Sequence, residues 1–209
     1  MSILICFALK EEAAPFHKIA AGHPGVVTLI VGIGRQNAEK SLRSFLSNCS
    51  PEQVLTCGFA GGLNPDYQLG EVVFDTATSK PQISARLAAA GATPAKFFCA
   101  DRIAITAMEK WKLCLDTGAD VVEMESAAIH AVCAEKNIPC VTVRVVSDTA
   151  HEDLPLDFNA LAKPDKNLDF GKLAWAIAKS PGKIGALMKL QKRTKFAAEQ
   201  LAAVLKQLI

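Results

Sequence analysis

The feature that most constrains this 209-residue chain is an alternation of short apolar runs with helix-like stretches. Cys140–Val146 is the clearest run: seven residues, mostly β-branched, of the kind that is buried on both faces of a sheet. Ser2–Phe7, Val26–Val31, Gln53–Cys57 and Glu71–Phe74 also read as strands, the third ending at Gly58. Lys10–Ala21, Arg35–Leu46 and Ile129–Lys136 carry helix patterns. Parallel strands need helical crossovers, so the alternation predicts an α/β/α sandwich of three layers around a mostly parallel sheet. A single domain over residues 1–209 is expected, with 183–209 as a C-terminal amphipathic basic helix. In that helix Leu187, Leu190, Ala197, Leu201, Val204, Leu205 and Leu208 fall near helical spacing, and Lys189, Lys192, Arg193 and Lys195 cluster in its first half. It either packs on the sheet with a solvated basic face or touches a membrane surface or an acidic partner.

Composition removes several classes of function. Lys+Arg number 23 against 21 Asp+Glu, a formal charge of +2, without the basic excess of a nucleic-acid binder. Half the residues are hydrophobic and 21% are charged, which suits a packed core and not global disorder. No apolar run reaches the roughly 18–20 residues of a membrane span. The first residues lack the basic region of a secretory signal, so a cytoplasmic location is expected. Seven cysteines without a C-x-x-C pair read as small buried hydrophobes, and four histidines show no ligand spacing, so no metal is expected.

In open α/β sheets ligands bind beyond the carboxyl ends of the strands. Four places there carry polar or glycine-rich sequence. Lys10-Glu11-Glu12 follows the first strand; acids there also suit a helix N-terminus. Gly32-Ile33-Gly34-Arg35 follows the second strand and opens a helix, a geometry that can cradle an anion or simply turn the chain. Gly58-Phe59-Ala60-Gly61-Gly62 follows the third, where missing side chains let the backbone approach a ligand. The fourth place is split: Glu123-Met124-Glu125-Ser126 precedes a helix, and Arg144-Val145-Val146-Ser147-Asp148 ends the most apolar strand in an acid.

The order and letters of these segments resemble the nucleoside phosphorylase and nucleosidase superfamily, in the branch of methylthioadenosine/S-adenosylhomocysteine nucleosidases. The matching pieces are Ala8–Glu12, Gly32-Ile33-Gly34, Ala60–Leu63 with Gly70–Val73, Val122–Ala127 and Val143–Asp148; Glu-Met-Glu with Arg-x-x-Ser-Asp is the specific part. The Gly-Phe-Ala-Gly-Gly-Leu variant and the tail Lys179-Ser180-Pro181-Gly182 before a basic helix look more like the hopanoid-associated phosphorylase-like branch, which is linked to an adenosyl-hopane lipid precursor. The resemblance implies the phosphorylase-like fold with a central mixed, mostly parallel sheet. It implies cleavage of the N-glycosidic bond of a purine nucleoside, a 5′-modified adenosine, by a homo-oligomer (a dimer) that needs no cofactor.

By this resemblance Asp148 is the proton donor to purine N7, oriented by Ser147. A well-placed general acid is worth roughly 10²–10⁴-fold in rate. Glu125 accepts the ribose hydroxyls, Met124 packs under the sugar, Ile103 walls the base, and Phe59, Ala60 and Gly61 line the site. Glu12 matches the carboxylate that positions water in nucleosidases. Phosphate as a co-substrate would need Arg35, Gly34 and Lys10 instead, and both routes stay open at this level. Phe59 stands where better-known branches carry a small hydroxyl residue, and Phe7 where nucleosidases carry glycine; both make the expected site more apolar. The stretch from Phe74 to Phe98 is short for a nucleosidase, which implies an opened wall or one completed by a partner chain. Two rival readings follow: a catalytically inactive nucleoside- or lipid-binding homologue, and a dinucleotide-binding oxidoreductase resting on Gly32-Ile33-Gly34, whose available ribose acid, Glu52, sits before and not after the next strand.

Overall fold

The structure, a computed structural model, describes residues 2–77, 81–163 and 170–209. The chain runs β1 (Ile3–Phe7), α1 (Lys10–Ala20), β2 (Val26–Ile30), α2 (Arg35–Leu46), β3 (Gln53–Gly62), β4 (Val72–Asp75), α3 (Pro81–Ala89), β5 (Thr93–Ala95), β6 (Phe97–Cys99), α4 (Ala107–Thr117), β7 (Val121–Glu123), α5 (Ser126–Glu135), β8 (Cys140–Asp148), α6 (Phe158–Leu161), α7 (Phe170–Lys179) and α8 (Ile184–Lys206). The eight strands form one mixed sheet in the order β2-β1-β3-β8-β4-β5, with β7 added to β3 and β6 to β7. Pairing is parallel except for β4 with β8 and β3 with β7.

Alternation along the strands sorts side chains into two cores. Ile5, Phe7, Leu55, Cys57, Val141, Val143 and Val145 meet α1, α3 and the second half of α8 through Phe16, Leu87 and Leu201. Leu4, Cys6, Val54 and Cys140 face the other way, against Leu42 of α2 and Ile129 and Val132 of α5. These are the three layers that the alternation predicts. Every residue of β8 is buried, as its β-branched run requires. The cysteines are all free, and Cys6, Cys57, Cys133 and Cys140 sit in the interior as small hydrophobes.

Two sequence expectations change. The third strand does not stop at Gly58: β3 runs to Gly62 with a bulge between Ala60 and Gly61, because β8 accompanies it through Asp148. Phe7 does not reach the site; it is fully buried and packs at 6.1 Å on the ring of Phe16. The short stretch after Phe74 holds α3, β5 and β6, with residues 78–80 outside the described residues. The C-terminal helix does pack on the sheet, through Ala197, Ala198, Leu201, Ala202, Val204 and Leu205, while its first half carries exposed Ile184 and Met188.

Candidate active site

The sheet opens beside the middle of β3. Strand β8 follows one edge of β3 from Val54 to Gly61. The other edge is held by β1 as far as Cys57 and by β7 from Gly61 onward. Among the described residues, no strand lies beside residues 58–60 on that edge. A cavity of about 260 Å³ lies there, lined by residues from β1's exit, β3, β7 and β8.

Glu12 closes part of the gap. As the third residue of α1, it reaches back with Oε2 to accept the Leu9 N–H at 2.9 Å, and its Oε1 accepts the Phe59 N–H at 2.9 Å. A carboxylate thus replaces the missing strand as partner of β3. Gly58 permits this: at φ +150° its missing Cβ would lie 2.8 Å from Glu12 Oε1, so any side chain would displace the acid. Burial raises the pKa of Glu12, against the pull of the two backbone donors and Arg144.

Glu125 lies at the junction of β7 and α5. Its Oε1 accepts the Gly34 N–H at 2.8 Å. The anion held by the second glycine turn is therefore one of the protein's own carboxylates. Behind it, Arg144 is 1% exposed and donates to Glu123 Oε2 at 2.8 Å and to the Thr56 carbonyl at 2.6 Å, with Glu125 Oε2 at 3.8 Å. Burial opposes ionisation of Glu123, yet Arg144 and the Ser126 and Glu125 donors hold its carboxyl below the usual range. Glu125 receives less of the guanidinium. Burial pushes its pKa up to about 7, against Arg144 and helped by the neighbouring Glu123 charge.

Asp148 ends β8 at the other side of the cavity. Ser147 Oγ donates to Asp148 Oδ1 at 2.7 Å, and Lys110 Nζ lies 2.5 Å from Oδ2. Gly61 lets the pair come close to β3, since a Cβ there would sit 3.3 Å from Asp148 Oδ2 and 3.2 Å from Val122. Ile103 is fixed by Asn159, which accepts from its N–H and donates to its carbonyl, both at 2.9 Å.

Among the residues expected from sequence, Glu12, Phe59, Ala60, Gly61, Ile103, Met124, Glu125, Ser147 and Asp148 all line this one cavity. The phosphate trio is not brought together there. Lys10 is exposed on α1, the Gly34 N–H is taken by Glu125, and Arg35 turns to Asp101 at 3.2 Å and the Cys99 carbonyl at 2.5 Å. Arg35 lines a neighbouring cavity of about 490 Å³ instead. The dinucleotide reading loses its ribose contact: Glu52 precedes β3, whereas the glycine turn follows β2, and these strands run parallel to β1 in register. Glu52 therefore lies at the opposite ends of the strands from the glycine turn. Sequence reasoning gave no role to Arg144 or Lys110. A buried arginine inside an apolar strand was the available signal for the first. The capping box Thr106-Ala107-Met108-Glu109, directly before Lys110, marked the helix that delivers the second.

Comparison with known proteins places these features. The family model described as Phosphorylase superfamily matches residues 96–178. A 5′-methylthioadenosine/S-adenosylhomocysteine nucleosidase of Marinomonas sp. (strain MWYL1) is 30% identical over 172 residues, covering 66% of this chain and 74% of that protein. The Bacillus cereus (strain G9842) nucleosidase is 26% identical over 179 residues, covering 68% and 75%. Among solved structures, the nucleosidase of Neisseria meningitidis superposes with a TM-score of 0.70 at 19% identity over 99% of this chain and 97% of that one. Futalosine hydrolase of Helicobacter pylori gives 0.68 at 16% identity over 98% and 97%. The chain belongs to the phosphorylase superfamily, beside the 5′-methylthioadenosine/S-adenosylhomocysteine nucleosidases.

Proposed function

We propose that this protein cleaves the N-glycosidic bond of an adenosine carrying an apolar 5′-substituent, and that it does so by hydrolysis. The observation that carries the reading is the convergence of Glu12, Glu125 and Asp148 on one cavity of nucleoside size. Breaking the C1′–N9 bond leaves the sugar cationic and sends the bond's electron pair to the purine. Glu125 accepts hydrogen bonds from the 2′- and 3′-hydroxyls, and Met124 packs under the ring. Asp148 hands a proton to N7, so that neutral adenine leaves. Glu12 takes a proton from water as the water oxygen bonds to C1′; burial makes it a better base than a free carboxylate. Water suits this place better than phosphate. Two buried carboxylates repel a phosphate, and Arg102, which lines the cavity, is paired with Glu109 at 2.7 Å.

The 5′ assignment rests on the apolar lining of the cavity, where half-buried Leu154, Phe158 and Leu190 join Phe59. An adenosyl-hopane lipid precursor has this chemistry. We also propose that the outer face of α8 lies on an anionic membrane surface. Ile184 and Met188 share that exposed face with Lys189, Lys192 and Lys195, while Leu190 faces the cavity. From residue 170 to 198 the sequence has no Asp or Glu. No helix among the described residues is long and apolar enough to cross a membrane, so such contact is peripheral. Met108, Trp111 and Leu115 form an exposed apolar stripe on α4, which supports a homodimer built on that face.

The test is chromatography of a panel of 5′-substituted adenosines with and without phosphate. Free adenine in phosphate-free buffer is expected, with apolar 5′-groups preferred. Release that requires phosphate makes the enzyme a phosphorylase; tight binding without release of base makes it a binding protein.

A further inference from the structure

Helix α4 packs inward through Leu113 and Cys114, yet it also turns large apolar side chains outward and a lysine inward. Met108, Trp111 and Leu115 are 60–70% exposed, whereas Lys110 on the inner side is 0% exposed. A helix that needed only to pack would carry an apolar residue at that position, because desolvating an ammonium costs several kcal/mol. The ammonium is met by three oxygens. The carbonyls of Thr149 and Glu152 accept from Nζ at 2.8 and 2.9 Å, and Asp148 Oδ2 lies at 2.5 Å. Both carbonyls belong to the loop that leaves β8 immediately after Asp148. That loop is itself tied down: the Glu152 carboxylate accepts the Thr149 N–H at 3.2 Å and the Thr149 hydroxyl at 2.9 Å, and it pairs with Arg193 of α8. With Ser147 Oγ on Oδ1, each oxygen of Asp148 has a fixed donor. The carboxyl plane is set, and Asp148 still lines the cavity.

We infer that Lys110 is a positioning residue for Asp148: it holds the carboxylate in the plane that faces the departing purine, and its ammonium supplies, through Asp148, the proton that N7 receives. The inference rests on the hydrolytic reading above and adds to it a residue outside the cavity. It gives α4 a second task, since the helix whose outer stripe is free to meet another surface also carries the group that orients the acid.

A double-mutant cycle tests this. Lys110→Met keeps an unbranched side chain one atom shorter, without the charge, and is expected to lower kcat about 10²-fold with KM changed by less than about 3-fold. Asp148→Asn is expected to lose more. The combined variant should be no slower than Asp148→Asn alone, because Lys110 acts through Asp148. Losses that multiply in the combined variant, or a Lys110→Met enzyme with unchanged kcat, overturn the inference. Replacing Lys110 by Ala and adding n-propylamine provides a second readout if Lys110→Met is poorly folded. The amine is expected to restore activity and n-butanol is not; equal effects of the two overturn the assignment. Should the wild type release no base from any nucleoside, the hydrolytic reading fails by itself. Adenine binding by calorimetry then decides the role of Lys110: about 10-fold weaker binding to Lys110→Met supports it, and equal or absent binding ends it.

Discussion

The two ends of the cavity handle buried charge differently. At the sugar end, one guanidinium, Arg144, faces three buried carboxylates: Glu12, Glu123 and Glu125. At the base end, one ammonium, Lys110, serves one carboxylate, Asp148. The sugar end therefore keeps surplus negative charge, with Glu125 only partly compensated at 3.8 Å from Arg144. The base end is balanced. A cationic sugar and a neutral leaving base call for this asymmetry, and electrostatics fixed in advance costs no reorganisation during the reaction.

The largest effect expected from breaking the comparison is at the base end. Asp148→Asn should reduce base release by roughly 10²–10⁴-fold while leaving the thermal melt close to wild type. A variant with full activity would remove the proton-donor role. At the sugar end, Arg144→Met leaves three buried acids without their cation and should cost about 3–5 kcal/mol of stability at neutral pH, read by urea denaturation. The penalty should shrink as pH falls below about 7, because Glu125 then takes up a proton and needs no counter-charge. A pH-independent penalty would mean that Arg144 acts only through packing.

Next in size is Glu125→Gln, expected to weaken riboside turnover roughly 10–100-fold, the worth of one charge-assisted bond of about 1.5–3 kcal/mol. A 2′-deoxyriboside should lose less. Glu125 has its pKa raised to about 7 by burial, so its carboxylate form is gained as pH rises through that value. The ratio of kcat/KM for riboside over deoxyriboside should therefore climb from pH 6 to pH 8 in the wild type and stay flat in Glu125→Gln. Taking the ratio separates Glu125 from Glu12, which both substrates need. The smallest effect concerns the outer surfaces. Changing Lys189, Lys192 and Lys195 to Glu should abolish sedimentation with phosphatidylglycerol vesicles and leave turnover of a water-soluble nucleoside unchanged. Equal binding of wild type and variant would show that α8 does not meet the membrane.

Much of the architecture was legible because β-branched runs and glycine turns are local signals. Arg35–Leu46 is helical over the range that its pattern predicts, and Cys140–Val146 lies within β8. Strands β5, β6 and β7 have three residues each, too few to display a period. Helix α4 was obscured by its mixed pattern, with Met108, Trp111 and Leu115 outward and Lys110 inward beside Leu113 and Cys114. The glycine-rich end of β3 looked like a turn because its partners, β7 and β8, lie some 60 to 90 residues away in the sequence. The phosphate trio does not gather in the cavity because neighbours in sequence need not point the same way: the Gly34 N–H meets Glu125, while Arg35 lines the neighbouring cavity.

What the sequence by itself determined is the supply of parts: strands that must be buried on both faces, glycines where a side chain would collide, and acids placed just past strand ends. Those follow from local sterics and from the cost of exposing apolar surface. Only the tertiary structure decided which acids share a cavity and which cation each acid receives. Pairing across the sheet brought Arg144 against Glu123 and let Lys110 reach Asp148 from a helix 38 residues earlier in the chain. The balance of charge inside a desolvated site depends on those distances, and no local pattern encodes them.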